Sequence, residues 1–223
     1  MLTFYRRVGE QHSVRVGFSD YNDGDAREES FFSADKQVPV FPRQVHGSDL
    51  ATVESLSNHN PYECDALITR MPGIPIGVRV ADCVPIALYG NSVSGPVLAV
   101  VHAGWRGIRD GVIKNAAEQM MQYGCYEQRA IIGPHISADE YEFGTEDLTQ
   151  MVKLIGERAA SCTKDGLPAL DLRAAVEETL SRSSVAVDHQ VARCTAQDSR
   201  YWSYRANGDY QRFALVAEIG RLL

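Results

Sequence analysis

Apolar residues recur along this chain with two spacings, and each change of spacing marks an element. At 13–18 apolar and polar positions alternate, the period of a strand. Leu98-Ala99-Val100-Val101 is instead an unbroken apolar run, which reads as a buried strand. It closes on His102, and the Gly-bracketed pair Trp105-Arg106 then turns the chain. Ile108, Val112, Ile113, Ala116, Ala117, Met120 and Met121 share one helix face, and Gly124 stops that helix. The corner puts His102 at a strand end and Arg106 where a helix begins, a place that favours anions because unpaired N–H groups point out of it.

The same reading gives strands at 66–69 and 130–132, and a long β-rich stretch at 74–88 in which Pro85 predicts a bend or a sheet edge. Residues 38–41 are a short apolar run leading into Pro42-Arg43-Gln44-Val45-His46-Gly47. Residues 20–29 are acidic and carry Gly and Asn, hence a surface loop. Helices are expected at 145–158 and at 171–182, the second with Leu172, Ala175, Val176, Thr179 and Leu180 inward, and late strands at 185–191 and 213–219. No repeat or Pro/Ser linker divides the chain, so one domain over 1–223 is expected. The order holds more β than a regular βαβ alternation. It predicts an α+β fold, a layered α/β sandwich whose mixed sheet is flanked by helices.

Composition narrows the function classes. Hydrophobic residues make up 44% of the 223 and charged ones 23%, ordinary for a soluble globular protein. A formal net charge of -7 without basic runs argues against duplex nucleic acid as the main partner. No apolar segment approaches the roughly 20 residues that span a bilayer. The N-terminal stretch, with Arg6, Arg7 and Glu10, lacks the apolar core of a signal peptide. Five cysteines without regular spacing do not make a disulfide framework, and a cytoplasmic location is expected.

Three side chains follow or interrupt a strand next to Gly, Pro or Asp: His46, Cys83 and His102. Two imidazoles and a thiolate are a good ligand set for Zn²⁺, with the fourth position left to water. Copper suits the same set. They lie far apart in sequence and no short metal motif joins them. Spacing alone therefore leaves open the plainer reading of two hydrogen-bonded histidines and a buried free cysteine.

Several blocks occur in order: Gln44-Val45-His46-Gly47, Asp65-Ala66-Leu67-Ile68-Thr69, Ala81-Asp82-Cys83-Val84-Pro85-Ile86, His102-Ala103-Gly104-Trp105-Arg106-Gly107 and Ile132-Gly133-Pro134. Tyr141-Glu142, Leu170-Asp171-Leu172, Cys194-Thr195 and Ser203-Tyr204-Arg205 follow. From about Arg43 onward the chain closely resembles the YfiH family, also called the laccase-domain or DUF152 family. The resemblance implies a single-domain α/β sandwich and one zinc site that maps onto His46, His102 and Cys83. It also implies a purine nucleoside phosphorylase acting on adenosine, inosine and methylthioadenosine with phosphate, and adenosine deaminase activity. Members were first described as copper-dependent polyphenol oxidases, and bacterial relatives are linked to editing of peptidoglycan precursors. These, with a metal-binding protein that has lost turnover, are the rival readings.

Within the family reading, Arg106 is a candidate for holding phosphate, since a guanidinium grips two oxygens at once; the alternative is an arginine that fixes the turn. Gln44 is placed either to meet a purine edge or to lie on the surface. Asp82 and Asp65 each read as a backbone-bonded carboxylate or as the partner of a ligating histidine. Trp105 stacks on a base or simply packs. The chain departs from the family before the QVHG block. Residues 17–42 are short and lack the usual Gly-Gly-Val-Ser-type and Asn-Leu…Gly-Asp-Asp segments, and Gln211-Arg212 replaces a Gly-Arg. Oligomeric state is left open.

Overall fold

The computed structural model of the chain describes residues 1–31, 37–56 and 62–222. In chain order its strands are β1 (Leu2–Val8), β2 (His12–Phe18), β3 (Leu50–Thr52), β4 (Ala66–Thr69), β5 (Ile76–Val80), β6 (Val84–Ser92) and β7 (Gly95–Ala103). Helices α1 (Trp105–Asp110) and α2 (Val112–Gln122) precede β8 (Glu127–Ile132) and α3 (Thr145–Ile155). Short β9 (Ala160–Cys162) and β10 (Pro168–Leu170) pair with each other. Helix α4 (Leu172–Arg182), β11 (Val185–Gln190), α5 (Tyr204–Asn207) and β12 (Phe213–Arg221) complete the order.

Two sheets and a helical layer form a mixed α+β sandwich. One sheet is antiparallel in the order β1-β2-β12-β5. The other runs β11-β8-β6-β7-β4-β3, antiparallel in its middle and parallel at both outer pairs. Alternation along β7 shows why the sheets stack. Val97, Ala99, Val101 and Ala103 pack with Val112, Ile113, Ala116 and Met120 of α2. Leu98 and Val100 pack instead with Val14, Val16, Val78 and Leu215 of the other sheet. Both faces of β7 are therefore covered, which is why its sequence is uniformly apolar rather than alternating. His102 continues the parity of Leu98 and Val100 and so points into the layer between the sheets, at its end.

Several expectations need correction. The single helix expected from Ile108 to Gly124 is two. Gly111 adopts φ 95°, the left-handed conformation that ends a helix, and its N–H returns to the carbonyls of Gly107 and Ile108. Asn115 N–H then bonds to the Gly111 carbonyl and α2 begins. Met121 lies outside the buried face. Pro85 marks neither an edge nor a bend, because β6 lies between β7 and β8. The 74–88 stretch breaks earlier, at Asp82 with φ 84°. Residues 38–41 make only an isolated bridge, Val40 to Ile76. Helix α3 stops at Gly156, short of Arg158. Strand β1 was not anticipated: it is an edge strand whose exposed Leu2 and Tyr5 blur the alternation. No helix of the described residues is long and apolar enough to cross a membrane.

Gly133, just after β8, is closely hemmed in by Phe18 of the other sheet and by Pro85 of its neighbour β6. A Cβ there would fall on the Phe18 ring and 2.7 Å from Pro85 Cγ. The Gly133 N–H also bonds to the Pro85 carbonyl at 2.8 Å, so the backbone has little room to retreat. Gly133→Ala is expected to destabilise the fold by about 2 kcal/mol through overpacking. The denaturant midpoint should fall at an unchanged m-value.

Candidate metal centre

The centre is assembled by a buried carboxylate. Asp65 lies one residue before β4 and is fully buried. Its Oδ1 accepts from the His46 backbone N–H (3.0 Å), and its Oδ2 from the N–H groups of Gly47 (2.7 Å) and Val45 (3.1 Å). The loop that presents His46 is thus folded around one side chain, with His46 itself at φ 60°. That conformation is uncommon for a residue with a Cβ and persists only where surrounding bonds impose it. Oδ1 of the same carboxylate meets His102 Nδ1 at 2.7 Å. An ionised carboxylate only accepts, so Nδ1 is the donor to Asp65 and Nε2 is the nitrogen left to meet a ligand.

Cys83 arrives from the tight β5–β6 turn. Asp82 holds that turn, its Oδ1 accepting from Thr195 Oγ1 and its Oδ2 from the Arg205 N–H, both at 2.7 Å. The Ile136 N–H bonds to its carbonyl. Asp82 is therefore the backbone-bonded anchor of the turn, and Asp65 is the carboxylate that touches a candidate ligand.

The ligand-bearing atoms of His46, Cys83 and His102 all lie within 4.8 Å of one another. The two imidazoles meet edge to face. His102 is buried, Cys83 half-buried and His46 exposed, so the group opens on the His46 side. Burial opposes charge on these groups, and their mutual proximity outweighs it. Cys83 is lowered by the charge and hydrogen bonds of His102 and His46. His102 is raised by Cys83 and Asp65. Asp65, despite burial, is held below the usual carboxylate range by His102 and by the loop N–H donors. Gly104 closes the floor: a Cβ there would stand 3.1 Å from Cys83 Sγ and 3.3 Å from His46 Cδ2.

The other expected site residues fall around this group with different fates. Gln44 commits its amide to the backbone of Arg79, donating from Nε2 to the carbonyl and accepting at Oε1 from the N–H. Trp105 packs edge-on against Phe143, with ring centroids 5.2 Å apart. The exposed guanidinium of Arg106 lies 4.4 Å over the Trp105 ring, and its charge reaches Tyr141. Neither Arg106 nor Trp105 makes a side-chain hydrogen bond among the described residues. Tyr141 stands out in the sequence only as a family-like residue. It lies under the Arg205 guanidinium (4.5 Å) and within electrostatic reach of Cys83. Nothing in spacing could have found it, since its place depends on the loop after β8.

A family model described as multi-copper polyphenol oxidoreductase laccase matches residues 22–219. A Streptomyces coelicolor protein named purine nucleoside phosphorylase is 34% identical over 178 residues, covering 78% of this chain and 72% of its own length. A protein named adenosine deaminase RL5, from an unknown prokaryotic organism, is 33% identical over 159 residues, covering 66% of this chain and 60% of its own length. Among solved structures, a Neisseria meningitidis protein of the DUF152 family model superposes with a TM-score of 0.77 at 22% identity. That alignment covers 98% of this chain and 99% of the other. Bacillus licheniformis YfiH gives 0.76 at 19% identity, over 96% and 98%. The match over most of the chain, the shared fold and the level of identity to the Streptomyces protein together make this chain a member of the YfiH/DUF152 family.

Proposed function

We propose that the chain is a zinc-dependent purine nucleoside phosphorylase that also deaminates adenosine. The observation that carries the reading is the meeting of His46, Cys83 and His102 at one opening, in a chain whose relatives bear the names purine nucleoside phosphorylase and adenosine deaminase. Two imidazoles and a thiolate match zinc by donor type, and the His102 tautomer leaves a ring nitrogen available as ligand. A zinc ion held there supplies a Lewis acid and activates water near neutral pH.

The chain's own residues do the rest. Asp65 orients His102 and holds the His46 loop. Trp105, Phe143 and Tyr141 form a run of aromatic contacts, with Arg106 over Trp105 and Arg205 over Tyr141. Such a wall suits a purine, which offers a π-face to rings and guanidinium planes. In phosphorolysis a phosphate oxygen bonds to the anomeric carbon as the bond to the base nitrogen breaks. The electron pair leaves with the base, which takes up a proton.

The laccase description of the family model favours a copper oxidase as the second reading. Against it, the chain has six histidines in all. Its described residues gather a single group of three or more metal-type donors. A multicopper cluster needs more imidazoles than that.

Four outcomes are expected. Incubation of the zinc-loaded chain with adenosine, inosine or methylthioadenosine should yield ribose 1-phosphate or its methylthio analogue only when phosphate is present. Oxygen uptake with a phenol and no nucleoside product would instead establish the second reading. His46→Ala, Cys83→Ser and His102→Ala should each lower zinc per chain measured by elemental analysis; full occupancy in all three would remove the metal centre. Asp65→Asn should weaken zinc binding about 10- to 100-fold. Its amide N–H₂ would face the N–H donors of the 45–47 loop, and the cobalt-substituted protein should show an altered absorption spectrum. Gly104→Ala should also weaken binding while leaving the melting temperature nearly unchanged, because its Cβ meets the two ligands rather than the core.

A further inference from the structure

Two arginines stand close to the metal centre without a carboxylate of their own. Arg79 lies in β5, whose ladder pairs it with Ala214 of β12, so Arg212 roots one diagonal step away at the entry to that strand. Both are fastened to the 25–27 turn. Arg79 Nε donates to the Ala26 carbonyl at 2.8 Å. The Ala26 N–H bonds to the Arg212 carbonyl, and the Arg212 N–H bonds to Asp25 Oδ1 at 3.0 Å. Asp25, the carboxylate whose charge reaches both, is already gripped by the Arg27 guanidinium.

The free valences of the two guanidiniums can be counted. Arg79 uses Nε and rests 4.0 Å over the Phe41 ring, leaving both terminal nitrogens uncommitted. Arg212 spends Nη1 on the carbonyls of Asp209, Tyr210 and Gln211, leaving Nε and Nη2. Neither enters an ion pair among the described residues. Both are half-buried, and none of their nitrogens is sealed off from solvent without a partner. Burial lowers the pKa of each, and Arg27 adds like charge. Partly desolvated cations without a counterion are costly, and the cost is removed when an anion binds. The site is beside the metal centre: Gln44, two residues before His46, is bonded to the Arg79 backbone, and the charges of Cys83 and Asp82 reach Arg212.

We propose that Arg79 and Arg212 form a binding site for a tetrahedral oxyanion, either inorganic phosphate or the phosphoryl group of a nucleotide, next to the His46–Cys83–His102 opening. Forked N–H donors suit such an anion, and a lone exposed arginine such as Arg106 offers less. The use of this site for attacking phosphate rests on the function proposed above; binding of the anion does not.

The test is a titration of the purified full chain with inorganic phosphate and, separately, with adenosine monophosphate, followed by ³¹P resonance or heat. Phosphate should bind wild type. Arg79→Gln and Arg212→Gln should each weaken it about tenfold or more. Arg79→Lys and Arg212→Lys, which keep the charge and guard against loss of folding, should fall between. Circular dichroism and melting temperature verify each fold. Nucleotide competing with phosphate and weakened by the same variants identifies a phosphoryl occupant; nucleotide indifferent to them identifies the free ion. Phosphate that fails to bind wild type, binds all four variants equally, or is lost only in Arg106→Gln overturns the site. Phosphorolysis with an unchanged phosphate KM in both Gln variants removes the site but keeps the enzyme. Arginine-dependent phosphate binding with no nucleoside turnover does the reverse.

Discussion

Much of the functional end of this molecule hangs on the carboxylate of Asp65. It is out of water and would be costly there without partners. It finds three backbone N–H groups and one imidazole, enough to satisfy an ionised acid. Those bonds do two jobs at once. They wind the 45–47 segment into a turn that a side-chain-bearing residue does not adopt unaided, and they settle which nitrogen of His102 is left for a ligand. Since the loop and the strand end share one acceptor, the two imidazoles are coupled mechanically: neither moves without disturbing Asp65.

The layered packing explains why this carboxylate sits where it does. β7 is covered on both sides, by α2 on one and the four-stranded sheet on the other. Polar chemistry is therefore confined to the strand's C-terminal end, where the apolar layer between the sheets runs out. His102 occupies that end, Asp65 faces it from the start of β4, and Cys83 enters from the β5–β6 turn that joins the two sheets. His102 and Cys83 stand at strand ends, and His46 lies in the loop before β3. Side chains at such ends are held by rigid strands yet face an opening, the combination a binding site needs.

How far the sequence revealed this depends on the range of the interaction involved. The strand at 66–69 and the late strands at 185–191 and 213–219 were legible because their apolar periodicity is local. So was the helix at 171–182, capped by Asp171. The break at Gly111 was less legible, since the apolar face continues across it and only the backbone of one glycine changes hand. Pro85 misled because a proline near a strand's start leaves the ladder beyond it intact. His46, Cys83 and His102 were found through family-like blocks. Their spacing, 37 residues and then 19, carries no geometric message, because strand pairing rather than helix pitch brings them together. Asp65 and Asp82 looked alike in sequence. Only the fold separates them, turning one toward a histidine and the other toward Thr195 and Arg205. Arg79 carries no motif and Arg212 stands out only in the Gln211-Arg212 pair; their isolation from carboxylates is a three-dimensional property.

The position of β12 has a consequence for how the molecule comes into being. It lies between β2 and β5 in the four-stranded sheet, yet follows both by most of the chain's length. Asp82 is likewise clasped by partners more than a hundred positions downstream. During synthesis the early segments therefore emerge with a gap in their sheet and with the cysteine turn untethered. Assembly of the opening therefore waits for segments far downstream: a chain that has emerged only as far as β8 holds His46, Cys83 and His102 but not the contacts that fix the turn presenting Cys83.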